Sequence, residues 1–113
     1  MQQAGVTALT QGEPDIAILS ERLNDAYAAT ASALSDMSRV NFIDPDGAFY
    51  AFFQVDGMSN SYEAALTILQ DTKVGLAPGS AFGKTGEGYL RLCYAQPYDV
   101  LEEAFNRLRP YLS

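Results

Sequence analysis

Apolar residues recur at every third or fourth position between residues 15 and 37. The stripe contains Ile16, Leu19, Leu23, Tyr27, Leu34 and Met37, with Thr30 filling its one gap. Because this spacing puts all of these side chains on one face of a helix, it predicts a long amphipathic helix over 15–37. Pro14 suits the first turn of that helix, and a shorter helix over 2–10 is expected before it.

Two apolar runs, at 40–43 and 48–55, flank the turn sequence DPDG and are predicted to pair as a hairpin. The second run, AFYAFFQV, is apolar at both of its alternating sets of positions, which is typical of a strand covered on both faces. Its aromatic residues are therefore interpreted as core and interdomain packing. They are Phe49, Tyr50, Phe52 and Phe53.

The rest of the chain continues the alternation of helices and strands. Further helices are predicted at 60–71 and 98–112, and further strands at 74–77 and 89–94. Asn60 and Glu63 have the spacing of a capping box, and Asp99 and Glu102 repeat it. These elements predict an α+β fold: a two-layer small domain whose mixed or antiparallel sheet is covered by helices on one face, preceded by a long helix.

Composition and charge exclude several functional classes. A chain of 113 residues with 48% hydrophobic and 19% charged residues fits one ordinary globular domain. Its formal net charge of −7 opposes nucleic-acid binding, which needs clustered lysine and arginine. No apolar run is long enough to cross a bilayer, and the N-terminus does not resemble a signal peptide. A membrane partner is not expected, and the expected location is the cytoplasm.

Few residues offer nucleophilic or metal chemistry. The absence of histidine removes Ser/His and Cys/His pairs as well as histidine metal sites, so neither a catalytic residue nor a metal site is expected. The single cysteine, Cys93, lies in a predicted strand and is interpreted as a buried, unreactive thiol. Glu102 and Glu103 are interpreted as solvated surface.

The stretch 74–95 contains five of the nine glycines and a single arginine, Arg91, within an apolar strand. Along an extended strand Leu90, Leu92 and Tyr94 point to one side, and Arg91 points to the other. A guanidinium can donate two parallel hydrogen bonds to a carboxylate, so Arg91 is a candidate carboxylate-binding residue. From the residues alone, Arg91 can equally be an arginine exposed on an open sheet face.

The segment 79–85, GSAFGKT, superficially resembles a phosphate-binding loop. That motif requires four residues between its glycines and a helix after them. Here three residues intervene, Pro78 offers no N–H at the preceding position, and a predicted strand follows. Nucleotide binding is therefore rejected, and the glycines are interpreted as permitting tight backbone turns.

Three ordered motifs resemble one enzyme family. The segment 45–50 is similar to P-x-G-A-F-Y, 74–83 to V-x-x-x-P-G-x-x-F-G, and 89–92 to a strand that carries an arginine. These motifs belong to the C-terminal third of pyridoxal-phosphate-dependent class I/II aminotransferases of the aspartate-aminotransferase type. The resemblance covers essentially the whole chain. It implies transfer of an amino group between an amino acid and a 2-oxo acid, with Arg91 binding the substrate α-carboxylate.

The resemblance also shows what is missing from this sequence. The family's Schiff-base lysine lies upstream in a large domain, and neither Lys73 nor Lys84 is in a matching segment. Residues 1–12 are therefore expected to be a remnant of the connection to a missing large domain, and 13–113 the small domain itself. Pyridoxal phosphate is expected in the full-length enzyme, but the chain alone is expected to bind no cofactor and to be inactive.

Two expectations about partners complete this interpretation. The full enzyme is expected to form a homo-oligomer, and surface that faces the large domain would be exposed in this chain. The alternative is a non-enzymatic α+β module that binds a carboxylate ligand or a partner protein through the Arg91 face.

Overall fold

The computed structural model describes all 113 residues as four helices, a four-stranded sheet and two short 3₁₀ turns. The helices are α1 (Gln2–Gln11), α2 (Glu13–Ser35), α3 (Ser61–Thr72) and α4 (Tyr98–Leu112). The strands are β1 (Val40–Phe42), β2 (Tyr50–Val55), β3 (Ala77–Pro78) and β4 (Tyr89–Cys93). The 3₁₀ turns, Gly79–Phe82 and Lys84–Gly86, lie between β3 and β4.

The sheet is antiparallel throughout, with strand order β1-β2-β4-β3. In the central pair Phe53 lies opposite Leu90, and Phe52 lies opposite Arg91. Since successive side chains of a strand alternate between faces, this register puts Phe53 and Leu90 on one face and Phe52 and Arg91 on the other. The predicted hairpin of β1 and β2 is confirmed.

Helices α2, α3 and α4 cover the first of these faces. One continuous cluster of 16 buried apolar residues joins the helices to β2 and β4. Its most deeply buried large side chains are Leu34, Met37, Phe53, Leu90, Leu108 and Leu112. Burial of each such side chain contributes about 1.5–3 kcal/mol. The predicted α+β fold with helices on one face of the sheet is confirmed.

Some predicted boundaries are wrong. The third strand was expected at 74–77, but β3 contains only Ala77 and Pro78. Proline has no N–H to donate, so a strand of this kind is restricted to the sheet edge. Asn60 caps α3 by accepting a hydrogen bond from the Glu63 N–H at 3.1 Å. Asp99, in contrast, caps nothing, because α4 already begins at Tyr98.

Arg39 joins the ends of three elements just beyond α2. Its guanidinium donates to the Asp56 carbonyl at 2.8 and 3.1 Å and to the Tyr111 carbonyl at 3.0 Å. Its backbone N–H donates to the Leu112 carbonyl at 3.0 Å. The last carbonyls of α4, which have no partner within the helix, are thereby satisfied.

Two tyrosines hold the turn between β1 and β2. Tyr94 donates from its hydroxyl to the Ala48 carbonyl at 2.9 Å, and Tyr27 donates to the Asp44 carboxylate at 2.6 Å. The hydrogen bond to Asp44 raises the pKa of Tyr27. Ala48 adopts φ 62°, a left-handed conformation that alanine rarely adopts, so the turn depends on these contacts.

The loop between β3 and β4 is fixed to the first turn of α3. Glu87 accepts hydrogen bonds from the N–H groups of Ser61 (2.7 Å) and Gly88 (3.1 Å). The buried Ser61 hydroxyl also donates to Ser80 Oγ and accepts from the Ser80 N–H. Because these hydrogen bonds favour the charged carboxylate, they lower the pKa of Glu87.

The N-terminal part of the chain extends beyond the core. We call α1 and residues 13–25 of α2 the N-terminal arm. No residue of α1 is buried, and Leu9 and Ile16 are 87% and 59% exposed. The apolar stripe of α2 meets the core only from Ala26 onwards, so the molecule measures 49 Å along its longest axis and 28 Å across. None of the helices combines the length and hydropathy that a membrane span requires.

The exposed arm predicts self-association of this chain. Apolar surface in water costs about 25 cal/mol per Å², and its burial between copies would recover that free energy. We expect the sedimentation coefficient to rise with protein concentration. Replacing Leu9 and Ile16 by glutamine should weaken the association, whereas the exposed control Val100→Gln on α4 should not. A monomer at every concentration would contradict the prediction.

The carboxylate of Glu87 predicts a specific loss of stability in acid. Its folded-state pKa is lowered, so its contribution is present above the ordinary value of 4.5 and is lost as the pH falls through the folded-state pKa. Urea unfolding from pH 7 to pH 3 should show Glu87→Gln less stable than wild type at pH 7, with the difference shrinking below 4.5. Glu102→Gln, on the exposed face of α4, is the matched control. A difference that stays constant with pH would contradict this account.

Candidate functional site

Arg91 lies on the face of the sheet that the helices leave open. It occupies the middle of β4, between β2 and β3. Its neighbours Leu90 and Leu92 are 0% and 4% exposed in the helix-covered core, whereas Arg91 itself is half-buried on the opposite side. The alternation expected from the sequence is therefore confirmed.

Two aromatic rings flank the guanidinium of Arg91. Its Cζ lies 4.3 Å from the ring centroid of Tyr50 and 4.1 Å from that of Phe82, over the face of each ring. Both rings therefore contact the same guanidinium. Each such cation–π contact contributes about 0.5–1 kcal/mol at an exposed site.

Further aromatic side chains extend this open face. The ring of Phe52 stacks on Tyr89 with centroids 4.9 Å apart and meets Phe82 edge-on at 6.2 Å. Phe49 contacts Tyr50 at 4.7 Å. Of the four aromatic residues at 49–53, only Phe53 lies in the core. The strand was expected to be covered on both faces, but in this chain only the face with Phe53 is covered.

Unlike those of Arg39 and Arg107, the side chain of Arg91 has no hydrogen-bond or ion-pair partner within the chain. Arg39 is occupied by backbone carbonyls, while Arg107 pairs with Glu103 at 2.8 Å and donates to the Thr72 carbonyl. Arg107–Glu103 is the only ion pair within the chain. The donors of Arg91 are therefore available to an external acceptor.

The glycine-rich loop brings Phe82 over Arg91. Gly79 and Gly86 pack backbone against backbone, and a Cβ at either position would collide with the carbonyl oxygen of the other. Gly83, between the two 3₁₀ turns, adopts φ 123°, which side chains disfavour. The loop leads into β4 and not into a helix, so no helix N-terminus is available to a phosphate, as the sequence predicts.

Cys93 is exposed, so its interpretation as a buried thiol is wrong. It lies at the end of β4, at an alternating position that it shares with Arg91, and its side chain is exposed there. Glu102 and Glu103 are exposed on α4, as expected.

Both lysines of this chain lie exposed on the surface. Lys73 is exposed at the end of α3, where its Nζ donates to the Gln70 carbonyl at 2.6 Å. Lys84 is exposed in the second 3₁₀ turn. No group of three or more cysteine, aspartate or glutamate side chains is arranged to hold a metal ion.

The two larger surface grooves lie away from Arg91. One, of about 530 Å³, lies between α2 and the start of α4 and includes Leu23 and Tyr94. The other, of about 540 Å³, lies between the end of α3, β4 and α4 and includes Cys93. Arg91 lines neither groove.

The sequence alone did not identify Tyr50 and Phe82 as neighbours of Arg91. Tyr50 could have been found by combining two observations, the alternation along 48–55 and the pairing of that strand with the one carrying Arg91. Phe82 comes from an irregular loop, whose path no periodicity predicts.

The chain is similar in sequence to known aminotransferases. No family model matches the chain. It is 33% identical over 112 residues to a probable N-acetyl-LL-diaminopimelate aminotransferase of Bacillus subtilis, covering 98% of this chain and 28% of the relative. It is 34% identical over 115 residues to an aspartate aminotransferase of Pyrococcus horikoshii, covering 99% and 29%.

Structural comparison leads to the same group. An alanine aminotransferase from Pyrococcus furiosus superimposes with a TM-score of 0.90 at 26% identity, over 96% of this chain and 28% of that one. The chain thus spans less than a third of the length of the relatives that it matches. In sequence and in fold, the chain belongs to the pyridoxal-phosphate-dependent aminotransferases of the aspartate-aminotransferase type, as their C-terminal small domain.

Proposed function

We propose that this chain is the substrate-closing domain of an aminotransferase, and that Arg91 binds the α-carboxylate of the substrate. The observation that carries the proposal is the guanidinium on the open sheet face, which contacts two aromatic rings and pairs with no internal acid. The reaction is transfer of an amino group between an amino acid and a 2-oxo acid. Both substrates carry a carboxylate next to the reacting carbon, so one arginine serves both halves of the reaction.

The chemistry of the guanidinium suits this role. Its planar fork donates two parallel hydrogen bonds to the two oxygens of a carboxylate, which the single ammonium of lysine cannot do. A charge-assisted hydrogen bond of this kind contributes about 1.5–3 kcal/mol. Since the formal net charge of the chain is −7, attraction of an anion depends on this local donor and not on the overall field.

Binding the carboxylate at two points fixes the orientation of the substrate. Holding the reacting groups in register can supply about 7–11 kcal/mol of an activation barrier in favourable cases. Arg91 sits on a central strand and not on a loop, so its backbone is held in place by the pairing of β4 with both neighbouring strands. Pyridoxal phosphate, which supplies the amino-transfer chemistry of the family, would be held by the remainder of a full-length enzyme.

Replacing Arg91 should remove carboxylate binding. We expect acetate to bind the ¹⁵N-labelled chain weakly, with shifts centred on β4, and Arg91→Gln to weaken this binding about tenfold or more. Arg91→Lys should restore only part of the affinity, because the two-point geometry is lost. Arg109→Gln, on α4, is the matched control for the loss of one positive charge. Equal affinities for Arg91→Gln and Arg109→Gln would contradict the proposed role.

The chain alone is expected neither to bind pyridoxal phosphate covalently nor to transaminate. Lys73 and Lys84 are exposed and lie in no enclosed site, so any reaction with the aldehyde should be weak and non-selective. The measurement is incubation with pyridoxal phosphate, borohydride reduction and mass mapping, alongside an assay of amino transfer. Stoichiometric labelling of one lysine together with turnover would refute the expectation.

A further inference from the structure

We propose that Tyr50 and Phe82 are positioning residues that form an aromatic clamp around Arg91, leaving only the edge of its guanidinium open and so favouring planar carboxylates over tetrahedral anions. The inference rests on the proposed carboxylate-binding role of Arg91. It adds two residues and a selectivity that neither the motifs nor the relatives assign.

Both rings of the clamp contact the guanidinium of Arg91 through their faces. The guanidinium Cζ lies over the face of both rings, at 4.3 and 4.1 Å from their centroids. All N–H donors of a guanidinium lie in its plane and point outward. In the proposed clamp each ring covers one face of the guanidinium, so an acceptor approaches along the outer edge, where two donors are parallel.

The two rings come from separate parts of the fold. Tyr50 comes from β2, where it is one step along the same face from Phe52, the residue opposite Arg91. Phe82 comes from the loop that is tied to α3 through Ser61, Ser80 and Glu87. Each ring is therefore held in place by a different part of the fold.

The clamp lowers the entropic cost of binding a ligand. A free arginine side chain loses rotamer entropy when it is immobilised by a ligand. The electron-rich faces of the rings attract the cation and restrict it before any ligand arrives. Arg91 has no internal acidic partner, so the contacts with the rings restrain its side chain and leave its donors free.

The selectivity follows from the thickness of the gap. A carboxylate is flat and can lie in the plane of the guanidinium, just beyond its outer edge. A sulfonate of the same charge has a third oxygen outside that plane, directed towards a ring whose face repels negative charge. Planar anions should therefore bind in preference to tetrahedral ones, and the preference should depend on both rings.

The experiment follows the Nε–Hε signal of Arg91 in the ¹⁵N-labelled chain, with acetate and methanesulfonate as the two probes. In wild type we expect a ring-current-shifted, rigid signal and tighter binding of acetate. Tyr50→Leu and Phe82→Leu should move the signal towards that of a free arginine and weaken acetate binding about two- to fivefold. Methanesulfonate binding should change less, so the preference should decrease.

Conservative variants separate the clamp from general packing. Tyr50→Phe keeps the ring, and no hydrogen bond of the Tyr50 hydroxyl is lost, so it should restore the signal and the preference that Tyr50→Leu removes. Phe82→Tyr likewise keeps the ring, so it should restore the signal and the preference that Phe82→Leu removes. Tyr62→Leu, at an exposed tyrosine on α3, is the matched control, and thermal unfolding checks that each variant is folded.

The outcomes distinguish this inference from the function on which it rests. If acetate binds through Arg91 with the same affinity and preference in the leucine variants, the clamp is refuted while the proposed carboxylate role stands. If Arg91 is rigid but wild type binds neither anion, both the carboxylate role and its selectivity are overturned. Loss of preference in the leucine variants with recovery in Tyr50→Phe supports the clamp.

Discussion

The antiparallel pairing of β2 with β4 is the constraint on which the rest of this domain depends. Its register places Phe53 opposite Leu90 in the core and Phe52 opposite Arg91 on the open face. A shift by one residue would exchange the two sets of side chains, burying a guanidinium and exposing leucines. The large apolar area that the helices bury against Phe53 and Leu90 therefore also determines where the cation points.

The loop before β4 depends on a second constraint, the contact of two glycine backbones. Gly79 and Gly86 approach so closely that neither position tolerates a side chain. This contact folds the loop back on itself, and the hydrogen bonds of Glu87 and Ser61 then attach it to α3. Gly79, which belongs to the segment that superficially resembles a phosphate-binding loop, thus helps to place Phe82.

Much of this architecture could be predicted from the sequence, for identifiable reasons. Helix α4 begins and ends where its periodicity predicts, and the DPDG turn correctly predicts the hairpin. Periodicity identifies an apolar face but not what covers it, which is why the stripe of α2 was correct while Ile16 and Leu19 are exposed. The same limit explains Cys93, whose strand was predicted but whose face is uncovered.

The neighbours of Arg91 mark a different limit. The contact with Tyr50 requires knowing which strands are adjacent, and the contact with Phe82 requires the path of an irregular loop. Neither is encoded by local propensity. The residue type of Arg91 and its position in a strand were sufficient to select it as a candidate, but its immediate surroundings arise only from tertiary packing.

Helix α2 has a mechanical consequence for the domain. Its 23 residues run without interruption from the exposed arm to Leu34 at the centre of the core, a length of about 35 Å. A helix of this length transmits rotation as a rigid rod, so a force applied to the arm acts on the sheet with leverage. The direction of the arm relative to the sheet is therefore set by the second half of the same helix, where Ala26, Thr30 and Leu34 are buried.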